Sequence, residues 1–189
     1  MRELEKLLDR IIQRININLR ELDYDITPFI KNLVPLNQMV KFYAFYGITP
    51  NHPLDLVFRH SSLAGTYFLG KIRTRNSILY KSDIRGDELK QQGDVFNYQK
   101  FEIPITRDEG IDIEDSFLIK TLVHNFSHDP ETLEKFFIRD TVSAQGANVH
   151  GSPSDGCFLG PLATVDLTTM RDCVIGTYSY VPVSYTHLT

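Results

Sequence analysis

Residues 157–181 read CFLGPLATVDLTTMRDCVIGTYSYV, and this stretch contains one short phrase twice. CFLG (157–160) returns sixteen positions later as CVIG (173–176). The same stretch contains three hexads that begin with an aliphatic residue and then a small or acidic one: LGPLAT (159–164), VDLTTM (165–170) and IGTYSY (175–180). Repeats this short predict a parallel β-helix, in which each coil of the chain stacks on the coil before it.

The repeat extends backwards when the chain is aligned on a small residue that precedes an apolar one. These anchors are 39, 25, 16 and 16 residues apart, and they are Ser77, Ser116, Thr141, Cys157 and Cys173. Because the shortest spacing is the bare coil, the longer ones must contain inserted loops. We place the insertions at residues 87–110 and 125–137. Within the second, Asp129-Pro130-Glu131 is typical of a helix start and predicts a short helix there.

The first 47 residues have a different periodicity. Leucines and isoleucines recur every three or four residues over 2–23, which predicts an amphipathic helix. Asp25-Ile26-Thr27-Pro28 predicts a break and a new helix start, and further helical segments are expected up to Tyr46. Residues 1–47 are therefore interpreted as a helical region, 48–65 as a linker and 66–182 as the β-helix. The helical region is expected to cap one end of the solenoid, or else to bind a partner or another subunit.

Composition limits the classes of function. The chain has 189 residues, 42% of them hydrophobic, and a net charge of −4, which indicates a folded protein with no nucleic-acid partner. The longest basic cluster, KIRTR (71–75), is short. No apolar run is long enough to span a bilayer, and the charged N-terminus does not resemble a secretory signal. We therefore expect a cytoplasmic protein, in which the two cysteines are reduced.

The hexads resemble those of the hexapeptide-repeat, left-handed parallel β-helix proteins, which include acyltransferases and gamma-class carbonic anhydrases. With its N-terminal helices and the phrases LYKSDIRGDELK (79–90) and LIKTLVHNFSHDPE (118–131), the whole chain also resembles a bacterial group known only as hexapeptide transferases. The resemblance implies a mainly β fold, a left-handed parallel β-helix with an N-terminal α-helical region. It also implies a homotrimer and a small-molecule acyl acceptor, with acyl-CoA or acyl-carrier protein as the donor.

The last seven residues, VSYTHLT (183–189), break the repeat. They are similar to the translation of a transposon-end adapter used in sequencing libraries. We interpret residues 183–189 as a non-native tail and expect the natural chain to continue beyond Pro182, so His187 is left out of the site.

The register of the repeat predicts a polar column along one edge of the solenoid. Four apolar positions near the end of successive coils are each followed by a polar residue: Arg85, His124, His150 and Asp166. Because adjacent coils are about 4.8 Å apart, these four side chains are expected to stack. His150 beside Asp166 would make a general base with a carboxylate that orients it. By resemblance, hexapeptide acyltransferases use a histidine that projects from a coil to deprotonate the acceptor. In this reading Arg85 and His124 contact the substrate or donor.

Two alternatives remain open at this point. His124, His128 and His150 could supply the three histidine ligands of a zinc site resembling that of gamma-class carbonic anhydrases, although the first two are four apart where that family has five. Alternatively, the chain is a non-catalytic solenoid scaffold, and the column is only a row of solvated polar side chains. No nucleophile elbow, phosphate-binding loop or HExxH motif is present.

Overall fold

Three parallel sheets form the walls of the solenoid, and a complete coil contributes one short strand to each sheet. The computed structural model describes residues 1–30, 33, 36–39, 43–47, 55–127 and 133–183. Sheet 1 consists of β1 (Phe45–Gly47), β3 (Tyr67–Leu69), β6 (Asp83–Glu88), β11 (Leu122–Phe126), β14 (Asn148–His150), β17 (Thr164–Asp166) and β20 (Tyr180–Val181). Sheet 2 consists of β2 (Leu56–Arg59), β4 (Ile72–Arg75), β9 (Ile111–Glu114), β12 (Phe136–Arg139), β15 (Ser154–Asp155) and β18 (Met170–Arg171). Sheet 3 consists of β5 (Ile78–Tyr80), β10 (Phe117–Ile119), β13 (Val142–Ser143), β16 (Phe158–Leu159) and β19 (Val174–Ile175).

The coil register matches the one read from the anchors. In sheet 3, Phe117 pairs with Ile78 on one side and Val142 on the other, and the pairing continues to Phe158 and Val174. The predicted parallel β-helix is thereby confirmed. All three sheets direct apolar side chains into the interior. On sheet 1, the residues that precede the polar column are all buried: Ile84, Val123, Val149 and Val165.

The anchor position carries a small polar residue because its side chain accepts a hydrogen bond from the next coil. The hydroxyl of Ser77 accepts from the backbone N–H of Ser116 at 3.1 Å, and the hydroxyl of Ser116 accepts from the N–H of Thr141 at 3.2 Å. The Thr141 hydroxyl in turn faces the N–H of Cys157 at 3.4 Å. This ladder satisfies buried backbone donors at the corner, which would otherwise destabilise the fold.

The residue before each anchor forms the corner itself. Asn76, Asp115, Asp140 and Asp172 all have positive φ, between 41° and 50°. Asn and Asp tolerate this left-handed conformation better than most residues because their short polar side chains bond to nearby backbone. Gly156, before the anchor Cys157, also has positive φ, of 69°. The Asp or Asn before the other four anchors therefore reflects the turn that the corner requires.

The N-terminal helices lie along the side of the solenoid. The expectation that they cap one of its ends is therefore wrong. Helix α1 (Arg2–Asn18) packs on the outer face of sheet 3, with Ile11 and Ile15 fully buried. Arg10 pairs with Asp115, and Arg14 binds Asp140 through two hydrogen bonds, one of 2.9 Å. Four helical residues rise about 6 Å and adjacent coils are about 4.8 Å apart. Successive turns of α1 can therefore reach successive corners.

Among the described residues after α1, some that were predicted to be helical are not. A 3-10 turn spans Arg20–Leu22, α2 spans Thr27–Ile30 and a second 3-10 turn spans Leu36–Gln38. Strand β1 lies inside the predicted helical region and β2 lies inside the predicted linker, and both pair with the solenoid sheets. The solenoid therefore begins about twenty residues earlier than residue 66. Strands of three or four residues carry too little periodicity to be separated from a loop by sequence alone.

Both insertions leave the solenoid at the corner between sheets 1 and 2. The first contains an antiparallel hairpin of β7 (Val95–Tyr98) and β8 (Phe101–Pro104). The second connects β11 to β12, and the short helix predicted at Asp129-Pro130-Glu131 lies outside the described residues. Within the described part of the chain, no helix is long and apolar enough to cross a membrane.

Candidate functional site

The predicted polar column forms on the outer face of sheet 1. His124 is the strand neighbour of Arg85 on one side and of His150 on the other, and His150 is the neighbour of Asp166. The register prediction is therefore confirmed for these four residues. They stand immediately before the corner from which both insertions leave, so the column is bordered by the solenoid on one side and by inserted chain on the other.

His150 and Asp166 form a close pair. The Nδ1 atom of His150 lies 2.6 Å from Oδ1 of Asp166, and the two side chains are 36% and 24% exposed. A carboxylate only accepts, so Nδ1 carries the proton and the neutral ring has its free lone pair on Nε2. The Nε2 atom makes no hydrogen bond with any described residue. The pair therefore presents a basic nitrogen, held in one tautomer, to the solvent side of the sheet.

Two residues beyond the column shape its surroundings. The ring of Phe126 lies 4.7 Å from the ring of His150 and 5.9 Å from that of His124, while the two histidine rings are 5.2 Å apart. The Nε2 atom of His124 lies 3.7 Å from a carboxylate oxygen of Glu88. The sequence analysis did not assign Glu88 and Phe126 to the column because both lie inside the predicted insertions, 87–110 and 125–137. They pair across a β-bulge that follows His124, and nothing in the repeat signals this bulge.

The corner after His150 leaves room for Phe126. Gly151 has φ of 55°, and a Cβ atom there would lie 2.7 Å from Leu167 Cδ2 and 3.3 Å from Phe126 Cε1. Glycine adopts this left-handed conformation without steric cost. The small residue therefore lets the aromatic ring pack against the corner and beside the histidine.

Arg85 stands at the other end of the column and is exposed. It makes no ion pair with any residue in the described ranges. Its neighbour Asp83 has its Oδ1 atom buried without a hydrogen bond. Burial raises the pKa of Asp83, and the nearby Arg85 charge opposes this rise. Arg85 is thus a cation whose guanidinium can bind a negatively charged group of a ligand.

Glu109 holds the two insertions together beneath the site. Its Oε1 atom accepts the N–H of Glu134 at 2.8 Å and the hydroxyl of Ser127 at 3.2 Å, and its Oε2 atom accepts the N–H of Lys90 at 3.0 Å. The Lys90 ammonium lies 3.7 Å from Oε1, and the Glu109 side chain is fully buried. Since Ser127 directly follows Phe126, this network anchors the segment that lies against His150. No sequence signal indicated it, because its members come from separate loops.

The zinc alternative gains no support from the described residues. Among them, no three His, Cys, Asp or Glu side chains are grouped as a metal site would require. The Nδ1 atom of His150 is occupied by Asp166, and the third predicted ligand, His128, lies outside the described residues.

Comparison with known proteins agrees with this architecture. The family model described as hexapeptide repeat including loop matches residues 101–188. The chain is also similar to the crystal structure of a "putative acetyltransferase" from Desulfovibrio desulfuricans G20, with 49% sequence identity and a TM-score of 0.83. That match covers 96% of this chain and 40% of the other, so the chain spans about two fifths of the length of that protein. No curated protein matches the sequence significantly. On its repeat, its sheets and these similarities, the chain is a hexapeptide-repeat protein with a left-handed parallel β-helix fold.

Proposed function

We propose that this protein is an acyltransferase that moves an acyl group from a CoA or carrier-protein thioester to a hydroxyl or amine. The observation that carries the proposal is the 2.6 Å contact between His150 Nδ1 and Asp166 Oδ1, which leaves Nε2 available on the open face of sheet 1. The similarity to a protein described as an acetyltransferase supports the same class of reaction.

In the proposed reaction His150 acts as the general base. Its Nε2 atom takes the proton of the acceptor hydroxyl or amine as that oxygen or nitrogen bonds to the thioester carbonyl carbon. The imidazolium so formed is stabilised by the Asp166 carboxylate. When the tetrahedral intermediate collapses, the carbon–sulfur bond breaks and the proton passes to the thiolate. The acyl group ends on the acceptor and the proton ends on the released thiol, so the reaction needs no other reactant.

The surroundings of His150 fit such substrates. Phe126 forms an apolar wall beside the imidazole, which can shield the reacting carbonyl from water and strengthen the electrostatic contacts there. Arg85, which has no ion-pair partner among the described residues, is proposed to bind a negatively charged part of the donor. His124, between Arg85 and His150 in the column, is proposed to contact the acceptor or donor.

The decisive experiment measures thiol release from acetyl-CoA in the presence of a panel of hydroxyl and amine acceptors. We expect acceptor-dependent release, and we expect His150→Gln to lower kcat/KM by about 10²–10⁴-fold, the usual contribution of a general base. His60→Gln is the matched control, because His60 is an exposed histidine whose one hydrogen bond with a described residue is to Asn76. Activity retained in His150→Gln would refute the assignment.

Two further measurements separate the alternatives. Stoichiometric zinc in the purified protein that is lost in His124→Ala would support the carbonic-anhydrase-like reading and contradict ours. A thermal-shift series with acetyl-CoA addresses the scaffold reading, because a ligand that binds only the folded state raises Tm with concentration. No shift, together with no thiol release, would favour a non-catalytic solenoid.

The proposal extends to assembly and location. We propose a homotrimer, as the resemblance to hexapeptide acyltransferases implies, and sedimentation analysis of the purified protein tests it. We also propose a cytoplasmic location. Cys157 and Cys173 are free thiols that share a hydrogen bond, with their sulfur atoms 3.4 Å apart, in keeping with a reducing compartment.

A further inference from the structure

A cleft of about 460 Å³ lies around the corner from the histidine column, above sheet 2. Gln92 and residues 107–110 of the first insertion form one wall, and residues 133–135 of the second insertion form the other. The floor is the outer face of sheet 2, including Phe137 and Arg139. The volume of the cleft is within the range of small-molecule sites in proteins. The cleft therefore belongs to a different sheet from His150 and Asp166, and it needs its own explanation.

Several charges that line the cleft already have partners. The ammonium of Lys71 lies 3.1 Å from Asp108, and this pairing, together with Asp55, raises the pKa of Lys71. Arg73 binds both carboxylate oxygens of Asp112, at 2.7 and 3.1 Å. The two charges of each pair neutralise each other, so these residues do not provide a binding site for a charged ligand.

Three cations in the same lining are not compensated. Arg107, Lys135 and Arg139 are exposed, and none makes an ion pair within the described ranges of the chain. Arg139 lies with its guanidinium 4.6 Å from the ring centre of Phe137, which orients it over the floor. The other acidic residues of the lining are Glu109, buried against Lys90, and Glu134, which has contacts of its own. The carboxylates that line the cleft therefore do not neutralise all of its positive charge.

We propose that this cleft binds a small molecule that carries a phosphate group. Two guanidinium groups and an ammonium can surround a tetrahedral anion with charge-assisted hydrogen bonds, and Arg offers paired donors that match two phosphate oxygens. The aromatic ring of Phe137 supplies an apolar surface beside the anion position. This site is independent of the proposed acyl transfer, since its residues come from sheet 2 and the insertions.

Titration calorimetry of the full chain with inorganic pyrophosphate tests the proposal. We expect saturable binding with one site per chain, weakened about tenfold or more in Arg107→Gln/Lys135→Gln, because losing about one charge-assisted hydrogen bond changes affinity by that factor. Arg59→Gln is the matched control. Arg59 is an exposed arginine in the same outer column of sheet 2 as Arg139 but outside the cleft. His150→Gln should bind as the unaltered protein does.

Three results would overturn the proposal. The first is no saturable heat with pyrophosphate. The second is equal weakening by Arg59→Gln and by the double variant, which would indicate diffuse attraction to the sheet surface. The third is loss of binding in His150→Gln alone, which would place the anion at the histidine column. Circular dichroism of each variant confirms that the exposed substitutions leave the fold intact.

Discussion

Replacing Asp166 by Asn tests the dyad without changing its shape. The amide is nearly isosteric with the carboxylate, but its NH₂ group can donate where the carboxylate only accepts. An Asn at this position can donate to Nδ1 of His150, which moves the ring proton to Nε2. The nitrogen that faces the proposed substrate would then be a donor and could no longer take a proton.

The size of the effect follows from the geometry. The contact is 2.6 Å long, and both side chains are partly shielded. A charge-assisted hydrogen bond of this kind contributes about 1.5–3 kcal/mol. If that stabilisation is lost only in the transition state, kcat/KM falls by about 10–150-fold. Full reversal of the tautomer would bring the loss towards the ~10²–10⁴-fold range of a missing general base.

The assay is initial-rate thiol release from acetyl-CoA with the best acceptor of the panel. Asp155→Asn is the control, because Asp155 is a half-buried aspartate one coil earlier, on sheet 2. The double variant His150→Gln/Asp166→Asn should be no slower than His150→Gln alone, since residues that act as a unit are not additive. Asp166→Asn with kcat/KM within about twofold of the unaltered protein would show that Asp166 does not act through His150.

Three further predictions concern the solenoid and its attachments. In urea unfolding, Ile11→Ala should lower the free energy of unfolding by about 2–5 kcal/mol, because the side chain is fully buried. Arg14→Ala should lower it by under about 1 kcal/mol, because its ion pair is half exposed. Equal losses would contradict docking of α1 through its apolar face. The backbone N–H of Gln92 and then the Lys71 ammonium lower the pKa of Asp108, so its stabilisation is present above the ordinary pKa of about 3.9 and is lost as the pH falls through the lowered value. Asp108→Asn should therefore be less stable than the unaltered protein at neutral pH, with the difference shrinking below about pH 4; a difference that is constant from pH 7 to pH 3 would exclude this linkage. Glu109→Ala should cost about 2–6 kcal/mol, since it removes the acceptor of two buried backbone N–H donors, those of Lys90 and Glu134. Glu102→Ala on the exposed hairpin should change stability by under about 0.5 kcal/mol. A cost of under about 1 kcal/mol for Glu109→Ala would show that the network does not hold the insertions.

The sequence alone determined which coil positions face each other. The spacing of small anchor residues such as Ser116 and Thr141 gave the register, and that register correctly placed His124, His150 and Asp166 as strand neighbours. This was possible because coil stacking is a nearest-neighbour property, in which a residue's place depends on its distance from the preceding corner. A one-residue slip would turn apolar side chains outward, so the apolar pattern leaves a single register.

The tertiary structure decided everything that the repeat does not encode. Helix α1 was readable as an amphipathic helix, but its position along sheet 3 depends on an apolar face of the sheet and on corner aspartates far away in sequence. In the same way Phe126 reaches His150 through a bulge, and Glu109 joins two insertions whose paths no periodicity describes. Such contacts depend on side-chain complementarity between segments that come together only on folding. The coil register, in contrast, is determined by the local spacing of residues in the sequence.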